Sequence, residues 1–253
     1  MFKNKHKKKI DVESDTSDLP GLEGYIESFV RKFKNFSLIF LLSPIVLLFI
    51  FCLGIALWPG VMVTSYVYQH TEQLGYIWQM LCLSFAIGLG YLAYGIVLMI
   101  IVPIVNFPFI FMIRPWRGNW YSLRVLPWYV HNALTQLVRY TFLDICTPSP
   151  LTVLFFQMMG MKVGKGVLIN SSNISDPCMI TLGDYVTVGG SATLFGHYGQ
   201  KGFLVIAPVI IKSRVTLGLK SSVMGDVIIG ERTVIPPHTV LLPKSRVDET
   251  TKF

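Results

Sequence analysis

Charged residues are scarce in this chain: Asp, Glu, Lys and Arg make up 14% of its 253 residues, whereas hydrophobic residues make up 52%. Such an apolar composition excludes an ordinary soluble protein, and the charge that remains excludes a bundle made only of membrane helices. We therefore expect two parts of different character. The formal net charge of +8 arises largely from five lysines within the first nine residues. Aromatic side chains do not interleave with the later basic residues, so nucleic acid is not an expected partner. The basic tail fits either an anionic membrane leaflet or water alone.

Cysteine is also rare and follows no metal-ligand or redox spacing. The four cysteines are scattered along the chain, at Cys52, Cys82, Cys146 and Cys178. This pattern predicts free thiols in a reducing compartment, and it predicts no metal site.

Two long runs lack any charged residue, and each predicts a membrane helix. The run from Phe36 to Trp58 is long enough to cross about 30 Å of hydrocarbon. The run from Ile77 to Ile113 exceeds one crossing, so we expect a helix at about 77–102 that ends near Pro103. Residues 103–113 are then expected either to bend along the membrane interface or to continue the span, and residues 59–76 to form the loop between the two helices.

The basic residues predict the orientation of this hairpin. They precede the first helix and follow the second, and the loop between contains neither Lys nor Arg. By the positive-inside rule both termini are cytoplasmic, which predicts a multi-pass protein of the inner or cytoplasmic membrane.

Three flanking segments complete the first 160 residues. Residues 1–24 read as a disordered basic and acidic tail. Residues 25–35 predict an interfacial amphipathic helix, with Arg31, Lys32 and Lys34 on its polar side and an apolar side formed by Tyr25, Phe29, Val30 and Phe33. Residues 114–160 predict an amphipathic helix on the membrane surface or on the end of the next domain, and then a short capping helix.

Residues 161–245 repeat every six positions. The first position of each repeat is aliphatic, counted past two interruptions: Val163, Ile169, Leu182, Val188, Leu194, Val205, Ile211, Leu217, Val223, Ile229, Ile235 and Leu241. A glycine often follows, which we interpret as permitting a tight turn. Short-period self-similarity of this kind predicts a three-sided parallel β-helix with about eighteen residues in each coil. Residues 246–253 are expected to be a tail.

The repeat breaks twice, and insertions into a solenoid often carry binding. The first break is SDPCMIT (175–181), and the second lies within GHYGQKGFL (196–204). His197 is a candidate general base because the pKa of imidazole lies near the operating pH of most enzymes. Asp176 either faces His197 or serves only as the turn residue before Pro177. The candidate substrate-binding residues are Asn173, Asp176, Tyr198 and Lys201, and the candidate cofactor-binding residues are Lys220 and Ser222.

The six-residue repeat and the passage GHYGQKGFLVIAPVIIKSRVTLG resemble the hexapeptide-repeat acyltransferases. This resemblance implies a left-handed parallel β-helix in which His197 is the general base. It also implies transfer of an acyl group from a thioester to a hydroxyl or amine, in a trimer whose sites lie between subunits. LLPKSRVDE (241–249) stands where soluble sugar acetyltransferases have a Gly-Asn-Pro turn that helps to hold coenzyme A. The expected donor is therefore either acyl-CoA or a carrier-protein thioester.

A longer resemblance covers roughly residues 36–245. The hairpin, Thr147-Pro148, FFQMMGMKVGKGV and SDPCMITLGDYVTVGG are similar to the membrane-embedded terminal region of polylysine-synthetase-like non-ribosomal peptide synthetases. Those carry three such units interleaved with six membrane helices, so a chain with one unit is expected to form a homotrimer. A carrier protein or an adenylation enzyme is an expected partner. The alternative is a non-catalytic trimeric membrane scaffold; a channel is disfavoured because the two spans contain no charged residue.

Overall fold

The computed structural model describes residues 14–252 of the chain. Two long helices come first, α1 (Gly21–His70) and α2 (Tyr76–Ile110). A short strand, β1 (Trp116–Asn119), is followed by three helices, α3 (Leu126–Val138), α4 (Asp144–Cys146) and α5 (Pro150–Met158). The rest of this range is built mainly of short strands. The lysine cluster of the predicted tail lies outside the described residues.

Both long helices extend further than the sequence predicts. The predicted loop at 59–76 is wrong, because α1 continues through Pro59 to His70 and only a short turn precedes α2. The predicted helix end near Pro103 is also wrong, because α2 continues through Pro103 and Pro108 to Ile110, which leaves no bend at Pro103. Proline breaks helices less strictly in long apolar segments, where neighbouring helices and local adjustments satisfy the freed carbonyl groups. Both helices are long and apolar enough to cross a membrane.

The N-terminal helical segment differs from its prediction in the side it buries. It begins at Gly21, within the predicted tail, and a non-helical residue, Lys34, separates it from the long apolar segment. Arg31 and Val30 are buried, whereas an apolar stripe is exposed, formed by Leu22, Tyr25, Ile26, Phe29, Phe33 and Phe36. The prediction places Arg31 on the polar side of an interfacial helix; in the structure its guanidinium is buried and donates to the Glu27 carboxylate at 2.7 Å.

Glu27 explains why a charged pair is buried here. Burial acts to raise the pKa of the Glu27 carboxyl, but hydrogen bonds from the Leu123 N–H and the Ser122 hydroxyl, with Arg31 nearby, lower that pKa overall. The Ser122 hydroxyl lies 2.8 Å from the Glu27 carboxylate. This contact joins the N-terminal helical segment to the residues that follow β1.

Helix α3 lies between α2 and the β-structure rather than on an open surface. On one side, His131 contacts Asn106 of α2 through Nδ1, 3.1 Å from the amide oxygen. On the other side, Gln136 donates to the Ser175 hydroxyl at 3.1 Å. Helix α5 packs over the first coil, where Phe155 and Phe156 enter the main hydrophobic core.

The β-structure is a parallel β-helix. Its strands are β2 (Lys162–Val163), β3 (Leu168–Ile169), β4 (Ile174–Ser175), β5 (Ile180–Leu182), β6 (Thr187–Val188), β7 (Thr193–Phe195), β8 (His197–Gln200), β9 (Phe203–Ile206), β10 (Val209–Ile211), β11 (Thr216–Leu217), β12 (Ser222–Val223), β13 (Val227–Ile229), β14 (Val234–Ile235), β15 (Val240–Leu241) and β16 (Arg246–Val247). Apart from β8 and β9, successive strands enter three parallel sheets in rotation, ordered β16-β13-β10-β5-β2, β14-β11-β6-β3 and β15-β12-β7-β4. Ile211 pairs with Ile229, eighteen positions further on, as the predicted coil length requires.

The repeat glycines have a different role from the predicted one. In the first coil Gly166 occupies a left-handed corner, but from Tyr185 onward these corners are occupied by residues other than glycine: Tyr185, Ser191, Arg214, Lys220, Asp226, Arg232, His238 and Lys244. The glycines instead allow close stacking. A Cβ on Gly189 would lie 2.5 Å from the Leu217 carbonyl oxygen, and one on Gly218 would lie 2.5 Å from the Pro237 nitrogen.

The second break is larger than predicted and forms a β-hairpin. β9 pairs with β8 on one side and with β1 on the other, in an antiparallel sheet of order β1-β9-β8. Val205 was predicted to be a coil position, but it lies on β9, and the coil resumes at β10. At the other end, β16 pairs with β13, so the β-helix continues to Val247 and includes part of the predicted tail.

Candidate active site

The two breaks in the repeat meet at one point. β4 and β7 are paired neighbours, with Ser175 opposite Phe195. The residues that follow these two strands, Asp176 on one coil and Gly196-His197 on the next, therefore lie side by side. Asp176 has left-handed backbone angles (φ 60°), and a single helical turn, Pro177–Met179, follows it.

Asp176 is fully buried and each of its carboxylate oxygens has a partner. Oδ2 lies 2.5 Å from His197 Nδ1 and accepts the Gly196 N–H at 3.0 Å. Oδ1 accepts from Trp128 Nε1 at 2.6 Å. A buried carboxylate is tolerated only when such partners offset its lost hydration.

Gly196 is needed for this approach. A Cβ at this position would lie 2.9 Å from the Asp176 Cβ and 2.7 Å from the Met179 Cβ. Contacts this short would push the two coils apart and separate the carboxylate from the imidazole.

His197 is held by aromatic rings and open on one side. The Trp128 ring stands edge-on to it at 4.9 Å between centroids, and the Phe195 ring at 5.8 Å. The His197 side chain retains 21% of its exposure. Because the carboxylate at Nδ1 is an acceptor, Nδ1 carries the proton and Nε2 keeps its lone pair in the neutral ring. Among the described residues no hydrogen bond is made to Nε2, so this nitrogen is free to accept a proton from a substrate.

Two neighbouring groups are unsuited to the same chemistry. Burial, and secondly the charge of Asp176, raises the pKa of the Cys178 thiol to about 12, so Cys178 is protonated and a poor nucleophile. Burial lowers the pKa of His131 to about 4, although the charge of Asp176 acts in the opposite direction. His131 is therefore neutral near pH 7, and it is fully enclosed.

Two predicted substrate-binding residues lie on the hairpin but away from the His197 side chain. Successive residues of a strand point to opposite faces, so Tyr198 faces away from His197 and packs with Val205 and Ala207. Lys201 is exposed at the hairpin tip, where it and Gly202 have positive φ angles of 50° and 79°. The tip lies about 13 Å along the strand from His197.

The remaining candidates are not brought to His197. Asn173 accepts from the Arg139 guanidinium and lines a separate polar cavity of about 340 Å³ at a coil corner with Asp144, Ser171 and Ser172. Ser222 pairs with Thr193, at the end of β7 remote from His197. Lys220 is exposed at the corner before it. The structure thus unites His197 with Asp176 and leaves the other five apart from that pair.

Sequence reasoning did not find Trp128, whose indole completes the carboxylate's partners. In the sequence, Trp128 is one of several aromatic residues in the segment 114–160 that predicts an amphipathic helix. No local signal marks it, because it precedes Asp176 by 48 positions and reaches it only through the docking of α3. Within residues 14–252 no group of three or more His, Cys, Asp and Glu residues is arranged to hold a metal ion.

Fold and site together define a class: a parallel β-helix, preceded by two long apolar helices, with a buried carboxylate–histidine pair where its coils are interrupted. No family model and no curated protein matches the chain. Among solved structures, it is similar to a hexapeptide-repeat-containing acetyltransferase from Vibrio cholerae, with 12% identity over 49% of this chain and 85% of that chain (TM-score 0.39).

Two further structures show similarity at the same level. The Vibrio cholerae acetyltransferase complexed with acetyl-coenzyme A matches with 22% identity, a TM-score of 0.29 and coverage of 35% of this chain, which spans about half of that structure (55%). Serine acetyltransferase from Neisseria gonorrhoeae in complex with serine matches with 15% identity over 74% of this chain and 80% of that chain (TM-score 0.29). Because these TM-scores lie below 0.5, the function proposed below rests on the geometry of the site and on the motifs of the sequence.

Proposed function

We propose that this protein is a membrane-anchored acyltransferase that moves an acyl or aminoacyl group from a thioester to a hydroxyl or amine. The observation that carries the proposal is the 2.5 Å contact between His197 Nδ1 and the fully buried Asp176 carboxylate. A carboxylate at Nδ1 fixes the imidazole so that Nε2 serves as a general base. The acyl chemistry is supported by the resemblance of the repeat and of the His197 passage.

In the proposed reaction the acceptor O–H or N–H lies against His197 Nε2. As the acceptor attacks the thioester carbonyl, its proton passes to Nε2. The tetrahedral intermediate then collapses, the C–S bond breaks, and the imidazolium returns the proton to the departing thiolate. Asp176 keeps the ring oriented and stabilises the imidazolium while it exists.

The acyl donor is a thioester of either coenzyme A or a carrier protein. In the second case an adenylation enzyme would load the carrier protein. Lys220 and Ser222 lie apart from His197, so they do not support a coenzyme A site next to the base. The acetyl-coenzyme A bound by the similar Vibrio cholerae structure is one donor to test, and an acyl-pantetheine thioester is a compact substitute for a carrier protein.

Two features support an anchored protein in the cytoplasmic membrane. Helices α1 and α2 are long and apolar enough to cross it, and the exposed apolar residues between positions 22 and 36 precede the first span in the sequence. Basic residues on both flanks favour cytoplasmic termini. The left hand of the coil and the homotrimer follow from the sequence resemblance and remain part of this proposal.

The test compares His197→Ala with His238→Ala in the purified full-length protein. His238 is an exposed corner residue of the same β-helix, so it controls for loss of a histidine. Thiol release from acetyl-coenzyme A and from acetyl-pantetheine is followed with a panel of amine and alcohol acceptors. We expect His197→Ala to lose activity by a factor on the order of 10²–10⁴, and His238→Ala to keep it. Full activity in His197→Ala would sink the proposal.

The scaffold alternative is disfavoured by the same carboxylate. A structural trimer core gains nothing from an ionisable side chain buried at an interruption of its coil, because a buried charge is often less stabilising than apolar packing. The assay on the unmodified protein separates the two functions, because a scaffold shows no thiol release above the buffer rate.

A further inference from the structure

Helix α3 reaches the candidate site from outside the β-helix, and Trp128 is the side chain that does so. Its indole Nε1 donates to Asp176 Oδ1 at 2.6 Å, and its ring lies edge-on to the His197 imidazole at 4.9 Å. Trp128 itself is 4% exposed. One side chain therefore contacts both members of the pair.

The hydrogen bond is placed to fix the carboxylate. Asp176 has two oxygens, and His197 and Gly196 both approach Oδ2. Without a donor at Oδ1 this oxygen is a buried acceptor with no partner, and the orientation of the carboxylate depends on its Oδ2 contacts alone. Hydrogen bonds to charged, buried groups are among the strongest in proteins, and leaving such an acceptor unpaired is costly.

Helix α3 is itself held from both sides. His131, one turn after Trp128, contacts Asn106 of α2, and Gln136 donates to Ser175 next to Asp176. The donor to Oδ1 is consequently supplied by an element anchored on a long apolar helix as well as on the coil.

We propose that Trp128 is a positioning residue: by donating to Asp176 Oδ1 it orients the carboxylate that holds His197 as the Nδ1–H tautomer. The inference rests on the proposed function for its effect on turnover, but the tautomer itself can be observed without a substrate. It implies that the geometry of the base depends on the docking of α3 and not on the β-helix alone.

The test removes the indole N–H and retains the ring. Trp128→Phe is the simple variant, and replacement of Trp128 by benzothienylalanine, which has sulfur in place of N–H, preserves the shape if Phe destabilises the fold. Trp120→Phe is the matched control, because Trp120 packs against Trp128 at 6.4 Å but makes no hydrogen bond to Asp176. All are studied as full-length chains in lipid bilayers.

The first readout is the ¹⁵N NMR spectrum of protein labelled at histidine, recorded at a pH where the imidazole is neutral. The signals that disappear in His197→Gln are those of His197. We expect unmodified protein and Trp120→Phe to show a single Nδ1–H tautomer at His197. Both Trp128 variants should show averaged shifts from two tautomers. An unchanged His197 tautomer in both Trp128 variants would overturn the inference.

The second readout is the transfer assay described above. We expect the Trp128 variants to lower kcat roughly ten- to a hundredfold with little change in KM, and Trp120→Phe to stay within about twofold. A fall in activity with the tautomer unchanged would show that Trp128 only fills space, and the inference fails. Tautomer averaging in a protein without transferase activity would uphold the role of Trp128 and refute the proposed function instead.

Discussion

Asp176 turns its backbone into the left-handed region, at φ 60°, and from there its carboxylate meets His197 on the next coil at 2.5 Å. Asp and Asn are the side chains, other than glycine, that most readily adopt this conformation. The position therefore offers a substitution that removes the charge and keeps the backbone.

Asp176→Asn should retain the fold and lose most of the activity. The amide oxygen can still accept from Trp128, but the NH₂ then occupies the Oδ2 position. The Gly196 N–H loses its acceptor there, at some cost in stability, and His197 Nδ1 must become the acceptor. The proton moves to Nε2, the nitrogen that has to act as base. We expect thiol release to fall by a factor on the order of 10²–10⁴. Asp184→Asn, an exposed carboxylate that accepts from the Lys165 N–H, should keep its activity. Equal rates in the two variants would exclude the role of Asp176.

The β-helix could be predicted from sequence because its determinants are local. Each aliphatic position faces the interior regardless of the rest of the chain, so Ile211, Leu217 and Val223 are all fully buried as the six-residue pattern requires. The pattern fails at Val205. This residue lies six positions before Ile211, as the repeat requires, but it belongs to strand β9 of the inserted hairpin.

The parts that could not be predicted depend on distant partners. Arg31 is buried because its partner Glu27 is held by Ser122, 95 positions away in the sequence. The local sequence contains no sign of this distant partner. Asp176 reads as a turn residue before Pro177, and it is one. Its second role, as the partner of His197, depends on two tertiary contacts. Stacking of the coils brings His197 to Oδ2, and docking of α3 brings Trp128 to Oδ1.

Lys201 is expected to be a turn residue with no part in binding substrate. At φ 50° it precedes Gly202 at φ 79° in the two-residue tip of the β8–β9 hairpin. This tip favours Asn followed by Gly. Lys201→Asn should therefore raise stability by a few tenths of a kcal/mol and leave kcat and KM unchanged, as followed by thermal unfolding and thiol release. A rise in KM would return Lys201 to the substrate site.

Helices α1 and α2 contact each other closely at Gly60 and Gly90. A Cβ on Gly90 would lie 2.9 Å from the Gly60 Cα, whereas one on Gly88 meets nothing within 4 Å. Gly90→Ala should force the helices apart and destabilise the hairpin by about 1–3 kcal/mol. Gly88→Ala, which adds the same methyl group to the same helix, should be neutral or slightly stabilising. Thermal unfolding in detergent measures both, and equal melting temperatures would show that the crossing does not contribute to stability.

The buried His131 predicts a loss of stability in mild acid. Its Nδ1 lies against the Asn106 amide, and its Nε2 is buried without a partner among the described residues. A proton added to this ring has no acceptor to offset the burial of the charge, which is why the pKa falls to about 4 from an ordinary 6.5.

Because the pKa of His131 is lower in the folded state, the unfolded state binds the proton first. Stability is complete above pH 6.5 and declines as the pH falls from there toward 4. Between pH 7 and 5 this one group should cost about 2 kcal/mol. His131→Gln, which stays neutral and can still bond to Asn106, should lose less stability over the same interval, whereas His238→Gln at an exposed corner should behave like the unmodified protein. Melting temperatures are measured in detergent at each pH. Parallel curves for the unmodified protein and His131→Gln would mean that the His131 ring is not desolvated.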